Sequence, residues 1–186
     1  MPKRLFLAVR PPRDVAESLE RFVGPRREAS PDVRWAAPEH WHLTLVFLGA
    51  VDDQRVDDLT ERLTVIAARN PSFDIALEGA GCYPHPDAAK VIWMGVAKGA
   101  GELEQLALRC RTAAQRSGIG VQGGRYEPHL TLARHGRGVL ARRWLQVVDS
   151  FPPLSWHVSD FVLVDSELTR GGPRHTVAER FDLTGQ

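Results

Sequence analysis

Apolar positions along this 186-residue chain change period several times, between the alternation of a strand and the three-to-four spacing of an amphipathic helix. Residues 4–9 read as a first strand, and Val15, Leu19, Phe22 and Val23 then mark one face of a helix over 13–27. Residues 41–48 alternate, with Trp41, Leu43, Leu45 and Phe47 on one face and His42, Thr44, Val46 and Leu48 on the other. The first set is predicted to face the core. Asp52 or Asp53 can cap a helix carrying Val56, Leu59, Leu63 and Ile66, which ends before Pro71. Residues 73–77 and 91–96 read as strands of a hairpin around the turn-rich stretch 83–87.

The second half has the same grammar. A helix over 102–116 shows Leu103, Leu106, Cys110 and Ala113, and glycines at 118, 120, 123 and 124 stop it. A strand at 129–133, a glycine-containing loop, a helix with Ala141, Trp144, Leu145 and Val148, and strands at 158–164 and 176–183 follow. There is no regular βαβ alternation and no glycine-rich phosphate turn after the first strand. The predicted class is therefore α+β rather than a doubly wound parallel sheet. No stretch is long or polar enough to be a linker, so residues 1–186 are expected to form a single domain of two lobes.

His42-Leu43-Thr44-Leu45 recurs 87 positions later as His129-Leu130-Thr131-Leu132, close to half the chain length, which suggests duplicated lobes. In each copy the strand period puts His and Thr on one face and both leucines on the other. One such motif is ordinarily a half-buried polar pair satisfied by its neighbours. Two copies side by side around a pseudo-twofold axis would instead bring two imidazoles and two hydroxyls to one cleft. Imidazoles near their unperturbed pKa of about 6.5 can divide the work of general acid and general base, which suits phosphodiester hydrolysis without a metal. Threonine hydroxyls can donate to non-bridging phosphate oxygens, and an arginine can stabilise the added charge.

Charge sharpens this picture. Lys+Arg total 24 against 23 Asp+Glu, a net of +1, which argues against a protein that coats polyanions. Only Lys3, Lys90 and Lys98 are lysines, so arginine, whose planar fork suits phosphate, dominates; genomic base composition gives the same excess. Between residues 105 and 148 there are eight arginines and one acid, Glu127, which points to a local anionic ligand. Cys82 and Cys110 lie in no metal-ligand spacing and read as reduced thiols, with a single disulfide as the alternative. No apolar run reaches the ~18 to 20 residues of a membrane span, and the N-terminal apolar stretch is too short for a signal peptide. A cytoplasmic protein with no membrane association is expected.

The chain resembles the 2H phosphoesterases, specifically the bacterial and archaeal RNA 2′,3′-cyclic phosphodiesterases historically called 2′-5′ RNA ligases. The resemblance rests on Arg4-Leu-Phe-Leu-Ala-Val9, Arg34-Trp35, His42-Leu-Thr-Leu-Val-Phe-Leu-Gly49 and Arg125-Tyr-Glu-Pro-His129-Leu-Thr-Leu-Ala-Arg134. It implies two pseudo-symmetric lobes, each an antiparallel sheet flanked by helices, with a central cleft. It further implies hydrolysis of a terminal 2′,3′-cyclic phosphate to a 2′-phosphate, with reversible 2′-5′ ligation in some members, and no metal or other cofactor. Carried over by position, His42 would be the proton donor to the leaving 3′ oxygen and His129 the acceptor of the attacking water's proton. Thr44 and Thr131 would hold the phosphate. The symmetric motifs by themselves do not say which histidine is which.

The arginine partner stays open at this level. Straight alternation puts Arg134 on the leucine face, so it reaches the cleft only if the strand ends or bulges after Ala133; Arg125 is the other candidate. The expected partner is RNA ending in a 2′,3′-cyclic phosphate or a small cyclic nucleotide, and no obligate protein partner is inferred. The alternatives are 2′-5′ ligation as the main activity and a non-catalytic RNA-end or nucleotide-binding module. His40 and His42, two apart on a strand, could hold a metal with His129 as third ligand, but no carboxylate or cysteine sits at a supporting spacing. Trp41 and Trp93 are read as core. Trp35, Phe47, Tyr126 and Trp156 are candidates to stack a base at the cleft mouth, or else buried. His85 reads as a surface residue, and 171–175 as a turn that can border the cleft.

Overall fold

The computed structural model describes residues 3–30, 33–170 and 172–185. Nine strands, β1 (Lys3–Val9), β2 (Arg34–Trp35), β3 (Leu43–Val51), β4 (Phe73–Tyr83), β5 (Ala89–Lys98), β6 (His129–Val139), β7 (Leu154–Val158), β8 (Asp160–Thr169) and β9 (Gly172–Asp182), form one curled sheet. Among the described residues four α-helices accompany it: α1 (Arg13–Ala29), α2 (Asp53–Arg69), α3 (Ala100–Arg116) and α4 (Arg142–Asp149). Strand order is β7-β4-β5-β6-β3-β1-β8-β9, with the two-residue β2 added beside β6. The fold is α+β, as its pattern predicts.

Every strand pair is antiparallel, and the order divides at the β6/β3 junction into two groups of four. The groups mirror each other. In one, β1 leads through the 17-residue α1 to β3, which pairs back on β1; in the other, β5 leads through the 17-residue α3 to β6, which pairs back on β5. The motif strands β3 and β6 touch at one pair only, Leu43 opposite Leu130. Both of these leucines are fully buried, as is Leu132, while Leu45 is nearly so. Helix α3 covers β3 and α4 covers β4. Because strand side chains alternate, burying the leucines turns the motif histidines and threonines to the other face.

Several boundaries differ from the sequence pattern. β4 runs on to Tyr83 rather than stopping at 77, and β6 continues through residues read as a loop, pairing Val139 with Ala89. β2 and β7 carry no clear periodicity and were not expected; they are held by pairing with β6 and β4. β9 starts at Gly172 instead of 176, so the expected turn at 171–175 is mostly strand, and Gly171 lies outside the described residues. Asp52 takes the N-cap position of α2 without a side-chain cap bond. Cys82 and Cys110 are both unbridged. Among the described residues, no helix is long and apolar enough to cross a membrane.

The largest departure concerns Phe47, expected in the core and found 67% exposed, whereas Val46 and Leu48 are buried. Its cause is a bulge. Leu7 pairs with Val46 but Ala8 with Thr44, leaving Leu45 as an extra residue that shifts the alternation after it.

Candidate active site

The same bulge recurs in β6, where Trp93 pairs with Thr131 but Ile92 with Ala133, leaving Leu132 unpaired. In both copies the fourth residue of the tetrapeptide is the extra one. Residues 45 and 46, and likewise 132 and 133, are then buried in succession, and the residue five places after each histidine turns to the polar face. In the first copy that residue is Phe47. In the second it is Arg134, exposed on the strand and close enough for its charge to act on His42. Arg134 leaves the leucine face through a bulge at Leu132, before Ala133 rather than after it.

Extending the Leu43–Leu130 register by one residue each way sets His42 across from Thr131 and Thr44 across from His129. The four polar residues of the repeat thus flank the one point where β3 and β6 pair, at the seam between the two strand groups, with Thr44 and His129 lining a common cavity. Each imidazole is fixed the same way. His42 Nδ1 lies 2.6 Å from the His40 carbonyl oxygen, and His129 Nδ1 lies 2.8 Å from that of Glu127. A carbonyl only accepts, so each Nδ1 carries the hydrogen and each Nε2 is left to exchange a proton with a ligand.

The surroundings differ in charge. His42 packs against Phe6 (ring centroids 4.8 Å apart) and His175 (5.6 Å). Burial pulls its pKa down to about 4; the His40 hydrogen bond opposes this, and the His175, Arg134 and Arg10 charges add to it. His175 is also lowered, by burial first and then by His40 and Arg10. His129 packs against Tyr83 (5.4 Å) and Trp93 (5.5 Å), with the Tyr83 hydroxyl 2.6 Å from the Glu127 carboxylate. Beside it lies a cavity of 380 Å³ lined by Thr44, Phe47, Arg125, Tyr126 and Glu127, among others.

The remaining candidates fall into place around this seam. Arg125 is exposed at the cavity beside His129, whereas Arg134 lies toward His42. Tyr126 is half-buried and donates through its hydroxyl to the Thr44 carbonyl, 3.0 Å away. Trp41 is core as expected, but Trp93 is half-buried against His129 instead. Trp35 is buried edge-on to Trp144, and Trp156 is buried in β7, so neither is available to a base. His85 is exposed and accepts from the Asp87 amide. His40 is not on the strand beside His42: it ends a short 3₁₀ turn, Pro38–His40, and its Nδ1 faces that of His175 at 3.3 Å. Among the described residues no three histidine, cysteine or acidic side chains are grouped to hold a metal ion, so the imagined His40/His42/His129 triad is not assembled. Tyr83 and Glu127 were not expected at the site, whereas His175, from the stretch 171–175 read as bordering the cleft, does lie against His42. The one local signal is that Glu127 precedes His129 by the same two places as His40 precedes His42.

Comparison with known proteins places the chain in a family. The family model described as the 2′-5′ RNA ligase superfamily matches residues 11–170. The RNA 2′,3′-cyclic phosphodiesterase of Escherichia coli (strain K12) is 31% identical over 187 residues, covering 98% of this chain and 98% of that protein. The enzyme of the same name from Archaeoglobus fulgidus is 34% identical over 178 residues, covering 91% and 94%. Among solved structures, E. coli LigT in apo form superposes with a TM-score of 0.81 at 30% identity, covering 98% of both chains. LigT complexed with 3′-AMP gives 0.80 at 30% identity, covering 99% of both.

Proposed function

Because this chain belongs to the 2′-5′ RNA ligase superfamily, we propose that it is an RNA 2′,3′-cyclic phosphodiesterase working by paired imidazoles without a metal. The supporting observation is the seam itself: two His/Thr pairs related across Leu43 and Leu130, each histidine with Nδ1 occupied and Nε2 free for proton exchange.

In the proposed reaction His129 Nε2 takes a proton from water as its oxygen bonds to phosphorus. The P–O3′ bond breaks, and His42 Nε2 gives its proton to the departing 3′ oxygen. One water is consumed, and a 2′-phosphomonoester and a free 3′ hydroxyl result. Thr44 and Thr131 donate to the non-bridging oxygens, and Arg134 offsets the charge that grows on them. Acid and base are both side chains, so no metal-bound water is required. Burial first, and the His175, Arg134 and Arg10 charges after it, keep free His42 neutral at pH 7, so the donor role requires that the negative charge of the bound phosphate raise its pKa.

The cavity beside His129, with exposed Phe47 on its wall, is suited to a nucleobase and Arg125 to a further phosphate. RNA ends and small cyclic nucleotides both fit this description, and a cytoplasmic, single-domain enzyme accords with it. The test is turnover of a 2′,3′-cyclic-phosphate dinucleotide in excess chelator, with the product identified. A 2′-phosphate from the wild type, and none from His42→Ala or His129→Ala, is expected. Full activity in either variant, or loss of wild-type activity in chelator, would overturn the reading.

A further inference from the structure

The two motif histidines are held by clamps of the same design built from different chemistry. In each, the histidine's Nδ1 donates to the carbonyl two residues earlier, and the side chain of that earlier residue is bound by a ring from an outer strand. For His129 the earlier residue is Glu127, bound by the Tyr83 hydroxyl of β4 at 2.6 Å. For His42 it is His40, bound by the His175 imidazole of β9 at 3.3 Å. The outer ring also meets the motif imidazole edge-on, at 5.4 Å for Tyr83 and 5.6 Å for His175. A second aromatic closes each clamp from the adjacent strand, Trp93 or Phe6.

We propose that Tyr83 and His175 are positioning residues for the two imidazoles, each acting through the side chain two places before the histidine it serves. This rests on the acid/base reading of His42 and His129. Each outer ring fixes at once the peptide that orients an imidazole and the ring plane against which it lies. Without the outer hydrogen bond, the turn before β6, where Glu127 is exposed, is free to rotate, and the Nε2 direction goes with it. Tyr83 is suited to donate: burial, reinforced by the Glu127 bond, pushes its phenol well above the usual range, so it keeps its proton.

The test uses Tyr83→Phe and His175→Phe, which keep a ring and remove the hydrogen bond, together with Glu127→Ala, Glu127→Gln and the Tyr83→Phe/Glu127→Ala double variant. For each outer-ring variant kcat is expected to fall about tenfold, with KM changed less than about twofold, because alignment rather than substrate binding is lost. Glu127→Gln, whose amide oxygen still accepts from Tyr83, is expected to recover most of what Glu127→Ala loses. The double variant should be no worse than the weaker single one, since both remove one interaction. Wild-type kcat in Tyr83→Phe or His175→Phe, additive losses in the double variant, or equal losses in Glu127→Gln and Glu127→Ala would overturn the proposal. His129→Ala, assayed alongside, separates the two levels: if it is inactive while Tyr83→Phe is fully active, only the clamp fails; if it is active, the acid/base reading fails.

Discussion

His42 should make the protein's stability depend on pH in a way that His42→Gln abolishes. Its pKa of about 4 in the folded chain compares with about 6.5 for an exposed imidazole in the unfolded one. Between these values the unfolded chain binds a proton that the folded one refuses, so stability falls as pH falls from 6.5 to 4 and levels below that. The full span corresponds to about 3 kcal/mol at 1.36 kcal/mol per pH unit, and about 2 kcal/mol of it is lost by pH 5. Urea unfolding at pH 7 and pH 5 measures this for both proteins. Subtracting the variant's pH dependence removes the contribution of titrating groups distant from His42, and repeating the comparison in a His175→Phe background removes that of His175, whose charge is coupled to His42. A wild-type loss about 2 kcal/mol larger than the variant's is expected, and in an NMR titration the His42 ring protons should shift with a midpoint near 4. Parallel pH dependence in the two proteins would refute the burial argument. A phosphate monoanion bound in the cleft should move the midpoint upward, as the donor role requires.

Two further outcomes follow from the bulges. Arg134→Ala should lower kcat/KM by about 10²- to 10³-fold, as loss of a transition-state charge partner does. Arg125→Ala, at the cavity beside His129, should act mainly through KM; steady-state kinetics on a cyclic-phosphate dinucleotide compare the two, and equal effects would count against the assignment. Phe47→Ala should weaken binding of base-bearing substrates by about 1–3 kcal/mol, read as a higher KM. Its melting temperature should barely change, because Phe47 is 67% exposed.

The face that carries the His/Thr pairs was legible because alternation is local. Two polar and two apolar residues in each tetrapeptide suffice to pair His with Thr and turn both from the core. The repeat likewise announced the mirrored halves, since α1 and α3 link corresponding strands. What escaped was set by partners distant in sequence. The bulges at Leu45 and Leu132 arise from how β1 and β5 pair with the motif strands, which is why Phe47 was assigned to the wrong face and Arg134 was left conditional. Tyr83 meets Glu127 across 44 positions and His175 meets His40 across 135, separations at which no periodicity speaks. Trp93 looked like core because an aromatic on a central strand usually is; here its ring closes a polar site.

The division of labour between the histidines bears most directly on the account, and pH profiles do not resolve it, because exchanging acid and base gives the same bell shape. A substrate in which sulfur replaces the bridging 3′ oxygen does, since a thiolate leaves without a proton donor. Single-turnover cleavage of this substrate should be restored to near the wild-type rate in His42→Ala and remain abolished in His129→Ala. Restoration in His129→Ala instead would reverse the roles, and failure of both variants to recover would contradict His42 as the donor to the leaving group.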